Sequence, residues 1–140
     1  MKLKIEIYNI NRKFIIDPNR VKKFARLIFK NEKHERVDVN VVFVDNDYII
    51  ELNKTYLNSS EATDVLSFSL GHDAATIEGE IYINLDVVTQ NTDIYDVTFE
   101  QEVLRMVAHG ILHLLDYDDC DDESRKTMSS KEDYYLSMYH

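Results

Sequence analysis

The sequence predicts an α+β fold, with a single mixed sheet of about four strands packed by about five helices. Two hydrophobic periods alternate along the chain in the order strand, helix, strand, helix, two strands, then helices. Size agrees, because 140 residues with 44% apolar content can bury one core but are too few for two ordinary domains. With one proline, three glycines, no Ser/Gly/Pro-rich stretch and no internal repeat, residues 1–140 read as one domain.

Lys2 to Ile10 reads as the first strand, with Leu3, Ile5 and Ile7 at period two on one face. Asp17-Pro18 has the form of an N-cap followed by proline at the first helical position, where its missing N–H costs nothing. The helix it opens runs to about Asn31, with Val21, Phe24, Ala25 and Ile28 as its buried stripe. Val37 to Val44 is rich in β-branched residues and reads as a strand, after which Asp45-Asn46 caps a helix through Tyr48, Ile49, Leu52 and Tyr56. Thr63 to Leu70 and Glu80 to Leu85 are the last two strands, joined by a loop containing Gly71, His72 and Gly79. A short helix is expected over Asp86 to Asn91. Thr98-Phe99-Glu100-Gln101 is a capping box that opens a helix to about Leu115, and a last helix covers roughly Glu123 to Met138.

The start, MKLKIEIYNINRKF, alternates apolar and polar residues, and nowhere do about eighteen apolar residues follow one another as a membrane span requires. Cys120 stands alone and cannot form an internal disulfide. We therefore expect a soluble, cytoplasmic protein with no membrane partner. The formal charge of −10 argues on average against nucleic acid, but it is unevenly placed. Residues 1–36 hold eleven Lys/Arg and four acids, net +7, while residues 37–140 hold five and twenty-two, net −17. Arg20, Lys23, Arg26 and Lys30 project away from the apolar stripe of the first helix. A local basic surface is expected there, the plainer alternative being a solvated helix face.

The chemistry is concentrated in His109-Gly110-Ile111-Leu112-His113-Leu114-Leu115-Asp116-Tyr117-Asp118-Asp119. Histidines four apart on a helix stand one turn above each other on the same face, so both imidazoles can reach one metal ion. Asp119, just past the helix end, is placed in sequence to supply a third ligand, and a fourth position would remain for water. Two other readings stand beside this one. Such a pair can be a satisfied, metal-free pair, and the run Asp116, Asp118, Asp119, Asp121, Asp122 also resembles a solvated acidic loop. Asp118 is the nearest rival as ligand, and Cys120 is a soft donor next door. Positions 109, 113 and 119 match the spacing of the zinc-peptidase pattern H-E-x-x-H-x-x-G-x-x-H, yet Gly110 stands where that mechanism needs its general base. Another hydrolysis fits the metal geometry better.

HGILHLLDYDD resembles the H-G-x-L-H-L-x-G-Y-D-H signature of the YbeY family of ribosomal-RNA-maturation endoribonucleases. Leu52-Asn53, Tyr56 and Thr63-Asp64-Val65-Leu66-Ser67-Phe68 resemble that family's L-N-x-x-Y-R and T-D-V-L-S-F, and Gly79-Glu80-Ile81-Tyr82-Ile83 resembles its G-D-I-x-I strand. The resemblance covers essentially the whole chain. It implies an α+β fold, one divalent metal ion in a zinc-type site, RNA as substrate, and a role in ribosomal RNA processing, with rRNA precursors and ribosomal proteins as partners. His109 and His113 match the first two ligands, and Asp119 replaces the third histidine with a harder, anionic donor. Asp116 takes the place of a glycine at the helix end, where a left-handed residue is wanted. Leu57 takes the place of an arginine suited to clamping a phosphate, a role open to Arg105 or to a basic side chain of the first helix. Thr63 and Asp64 are candidates for binding substrate beside the metal helix, or else form a locally hydrogen-bonded turn. No residue is assigned as general base, and oligomeric state is left open. A catalytically weakened, metal-stabilised protein associated with RNA or the ribosome is the alternative function.

Overall fold

The computed structural model describes residues 2–57, 63–71 and 75–139. Its elements follow the order β1 (Lys2–Asn9), α1 (Pro18–Asn31), β2 (Arg36–Val44), α2 (Asn46–Tyr56), β3 (Val65–Ser69), β4 (Ile77–Asn84), α3 (Leu85–Tyr95), α4 (Phe99–Leu114) and α5 (Asp122–Met138). The strands form one sheet in the order β1-β2-β4-β3. β1, β2 and β4 are parallel, and β3 pairs antiparallel with β4 at the edge. This is the mixed α+β arrangement expected.

Strand parity divides the sheet into two unequal faces. Ile5, Val37, Val39, Val41, Phe43, Ile81 and Ile83 all enter the main core, where they meet α1 and α4. The opposite parity sends Val42, Val44, Leu66, Phe68 and Tyr82 to a smaller cluster under α2, with Ile49 and Leu52. The end of β2 is covered on both sides, which is why its pattern changes from alternation to a continuous apolar run at Val41 to Val44.

The caps are where the residue types require them. Asp17 accepts hydrogen bonds from the backbone N–H of Asn19 and Arg20, and Asp45 from that of Tyr48. Thr98 and Gln101 form the reciprocal capping box at the start of α4. A second box, Asp121 with Ser124, opens α5.

Boundaries around the last two strands and the helix after them differ from expectation: β3 is Val65–Ser69, shorter at both ends than Thr63 to Leu70. Gly79 lies inside β4 instead of the preceding loop, buried and paired with Ser69, because a side chain there would strike Leu114 of α4 and the Phe68 carbonyl. α3 runs from Leu85 to Tyr95, longer at both ends than Asp86 to Asn91. Asn84 caps it one residue early, and Asp96 ends it in the left-handed region at φ 52°. His72 lies outside the described residues.

Candidate metal centre

α4 is the element on which the site is built. Val107, Ala108, Ile111 and Leu112 are fully buried, and burying each larger side chain stabilises the helix's seat by about 1.5–3 kcal/mol. Gly110 lets this helix sit unusually close to the sheet. A Cβ there would stand 2.5 Å from Cγ2 of Ile81 and 3.2 Å from Cγ1 of Val65. Ser67 of β3, paired with Ile81, also ties the approach, its hydroxyl donating to the Gly110 carbonyl at 2.9 Å. The position that holds the general base in the peptidase pattern therefore faces the packed sheet, with no room for a glutamate.

With Gly110 against β3 and β4, His109 and His113 project from another side of the helix. Their rings are edge to face with centroids 4.6 Å apart, and their Nε2 atoms are 3.0 Å apart. Asp119 Oδ2 lies 3.6 Å from both Nε2 atoms. One donor atom from each residue falls within 4.8 Å of the others. Ligands about 2.1 Å from a tetrahedral ion stand about 3.4 Å apart, so two imidazole nitrogens and a carboxylate oxygen at these separations fit a divalent ion.

The chain reversal after α4 makes this possible. Asp116 has φ 71°, and the backbone closes with Tyr117 N–H donating to the Leu112 carbonyl at 3.0 Å and Asp116 N–H to the His113 carbonyl at 3.1 Å. These two bonds form a Schellman motif, with aspartate in its left-handed position. Asp118 is turned aside, accepting from the Cys120 thiol at 3.3 Å. That hydrogen bond raises the Cys120 thiol pKa. Neither rival of Asp119 thus joins the two histidines. Beyond the turn, the Arg125 guanidinium donates to the Asp119 carbonyl at 3.3 Å.

Two carboxylates hold this assembly, and neither was evident from the sequence. Glu132 of α5, 5% exposed, brings Oε2 to 2.6 Å from Nδ1 of His109. Its other oxygen accepts from Arg105 at 3.1 Å, and Arg105 also donates to Asp133 at 2.7 Å. Arg105 is therefore committed to α5, which removes it as the stand-in for the arginine missing at Leu57. Burial alone would lower the His109 pKa, but the Glu132 hydrogen bond and the charges of Glu132, Asp64 and Asp119 outweigh it and raise the value. Glu32, the C-cap of α1, accepts from the Tyr117 hydroxyl at 2.6 Å, from Lys131 at 3.0 Å and from the Tyr135 hydroxyl. It thereby ties the end of α1 to the turn that follows α4 and to α5.

Thr63 and Asp64 precede β3 instead of lying within it. Thr63 Oγ1 accepts from Asn53 at 3.1 Å, and Asp64 Oδ1 accepts from the Val65 N–H at 2.8 Å. The fully buried Asn84 binds their backbone as well, donating its amide to the Thr63 carbonyl at 3.2 Å and its N–H to the Asp64 carbonyl at 2.8 Å. These bonds fix both residues to α2 and to the end of β4, and Asp64 is close enough to contribute to the His109 shift.

A family model described as Endoribonuclease YbeY matches residues 6–140. The chain belongs to the YbeY family. Curated YbeY relatives named Endoribonuclease YbeY include one from Flavobacterium psychrophilum, 39% identical over 115 residues covering 81% of this chain and 80% of that protein. Another, from Chlorobium chlorochromatii, is 37% identical over 137 residues, covering 97% and 86%. A solution structure of a Thermotoga maritima protein superposes with a TM-score of 0.66 at 36% identity, covering 95% of this chain and 87% of that one. The matched span includes every residue of the candidate site, from Glu32 at the end of α1 to Glu132 on α5.

Proposed function

We infer that the chain is a metal-dependent endoribonuclease that hydrolyses RNA phosphodiesters, with one divalent ion, zinc, held by His109, His113 and Asp119. The observation that carries this reading is the convergence of those three donors at a turn whose outer side is open. The His113 and Asp119 side chains are 30% and 45% exposed, so water and a phosphate can reach them. When bound there, a divalent ion supplies a Lewis acid and lowers the pKa of a coordinated water.

The residues of the chain do the rest. Glu132 and the Schellman turn orient the donors. Thr63 and Asp64 are held beside the site by Asn53 and Asn84 and are our candidates for contacting substrate. Lys23, Arg26, Lys30 and Lys33 are exposed on and just beyond α1 and supply the basic surface that an RNA backbone requires. Arg20 is excepted, since it pairs with Glu100 at 2.6 Å. The substrate class we favour is precursor ribosomal RNA, with ribosomal proteins as further contacts and the cytoplasm as location. Family membership and the absence of a membrane-crossing helix among the described residues are compatible with each of these.

Purified protein should carry about one divalent ion per chain and cleave structured rRNA fragments. Undiminished cleavage by His113→Ala would end the metal-centred reading. Co-sedimentation with ribosomal subunits, weakening as salt rises, tests the partner.

A further inference from the structure

We propose that Glu132 is a positioning residue for the metal centre: its carboxylate holds His109 in the tautomer protonated on Nδ1, which turns an unprotonated Nε2 toward His113 and Asp119. The proposal rests on the metal reading above and deepens it. A neutral imidazole carries one proton on either of two nitrogens, and only the bare nitrogen can bind a cation. In His109 the two choices are not equivalent. Nδ1 faces an acceptor at 2.6 Å, whereas Nε2 faces the other two donors of the cluster at 3.0 and 3.6 Å. A carboxylate can only accept, so the proton belongs between Nδ1 and Glu132.

The carboxylate is itself kept in place. Glu132 is buried, and a buried anion survives only when paired. Arg105 supplies that partner from one turn earlier on α4, and Asp133 fixes the far side of the guanidinium. Asp133, Arg105, Glu132 and His109 thus form a chain crossing between α5 and α4 and ending on one ring nitrogen. Negative charge behind an imidazole strengthens it as a ligand, and losing such a partner commonly weakens metal affinity 10–100-fold.

The test compares Zn(II) affinity, by chelator competition, in the parent, Glu132→Gln and Arg105→Met, with folding followed by circular dichroism. Glu132→Gln keeps the shape but loses the charge and replaces one of the two acceptor oxygens with an NH2 donor, and should bind Zn(II) about 10–100-fold more weakly. Arg105→Met removes the ion pair between the helices but leaves the His109 contact, and should lose less affinity. Equal loss of thermal stability in the two variants, with affinity within about twofold of the parent in both, would assign Glu132 a purely structural role and overturn the proposal. If either variant fails to fold, long-range ¹H–¹⁵N spectra of the Zn(II)-loaded parent decide. A hydrogen-bonded proton on Nδ1 of His109 supports the inference, and a proton on Nε2 refutes it. A parent that takes up no Zn(II), Co(II) or Mn(II) at all would overturn the metal reading together with this inference.

Discussion

Gly110 meets Ile81 so closely that a single added methyl group would come within 2.5 Å of its Cγ2 atom. Ile81 is fully buried in the parallel core and cannot move aside cheaply. Gly110→Ala should therefore cost about 1–3 kcal/mol, the usual range for overpacking, despite alanine's better helix propensity. Chemical denaturation measures it. Since the helix must shift to make room, Zn(II) affinity should fall in the same variant.

Asp116 occupies the left-handed position of the Schellman turn at φ 71°. Glycine adopts that conformation without a Cβ penalty, so Asp116→Gly should stabilise the fold by about 1 kcal/mol. A rise in thermal midpoint with unchanged Zn(II) affinity is expected. A fall in midpoint would mean that the aspartate contributes more than backbone geometry.

Glu32 makes the turn sensitive to acid. Burial would raise its pKa, but hydrogen bonds from Tyr117, Tyr135 and Lys131, with the Lys131 charge, outweigh that and lower it. A carboxyl depressed by folding stabilises the native state above its ordinary value of 4.5, and the contribution disappears as pH falls from there through the lower folded value. Glu32→Gln should cost about 1.5–3 kcal/mol at pH 7, the range for hydrogen bonds to a charged group. The difference from the parent should shrink through that acidic window, as urea melts at a series of pH values would reveal.

Asp119 is the proposed ligand that departs from the family signature. Asp119→Ala leaves two imidazoles and should lose about 10-fold or more in affinity for a divalent ion. Asp119→His restores a softer nitrogen donor and should favour Zn(II) over Mn(II) relative to the parent. Competition titrations with both ions check the order, and a histidine variant indistinguishable from alanine would show that the turn, not the donor, limits binding.

Much of this molecule is legible without coordinates. Asp17, Asp45 and Thr98 announce their helices through capping chemistry that acts within three residues. His109 and His113 form a pair because four residues make one helical turn. Asp119 was the hardest of the three to assign from sequence, since Asp118 and Cys120 compete with it. Only the turn's backbone decided which acid faces the histidines.

Glu132 and Glu32 were not legible, for one shared reason. Lys131-Glu132-Asp133 reads as a charged, solvated face, and nothing local distinguishes the acid that is buried. Glu132 acquires its role from His109, 23 residues away, and Glu32 from Tyr117, 85 residues away. Arg105 fails in the converse way. Its proximity to His109 in sequence suggested a phosphate clamp, whereas packing of α5 on α4 committed it to two acids.

By itself, then, the amino-acid sequence determined the order of the elements, three of their caps, the fold class and the two histidines, because these depend on periodicity and on hydrogen bonds between near neighbours. Tertiary structure alone decided which carboxylates stand behind and beside those histidines, and how closely the helix carrying them lies on the sheet. The physical reason is that burial and pairing of a charge depend on what the rest of the chain brings to it, which no local pattern encodes.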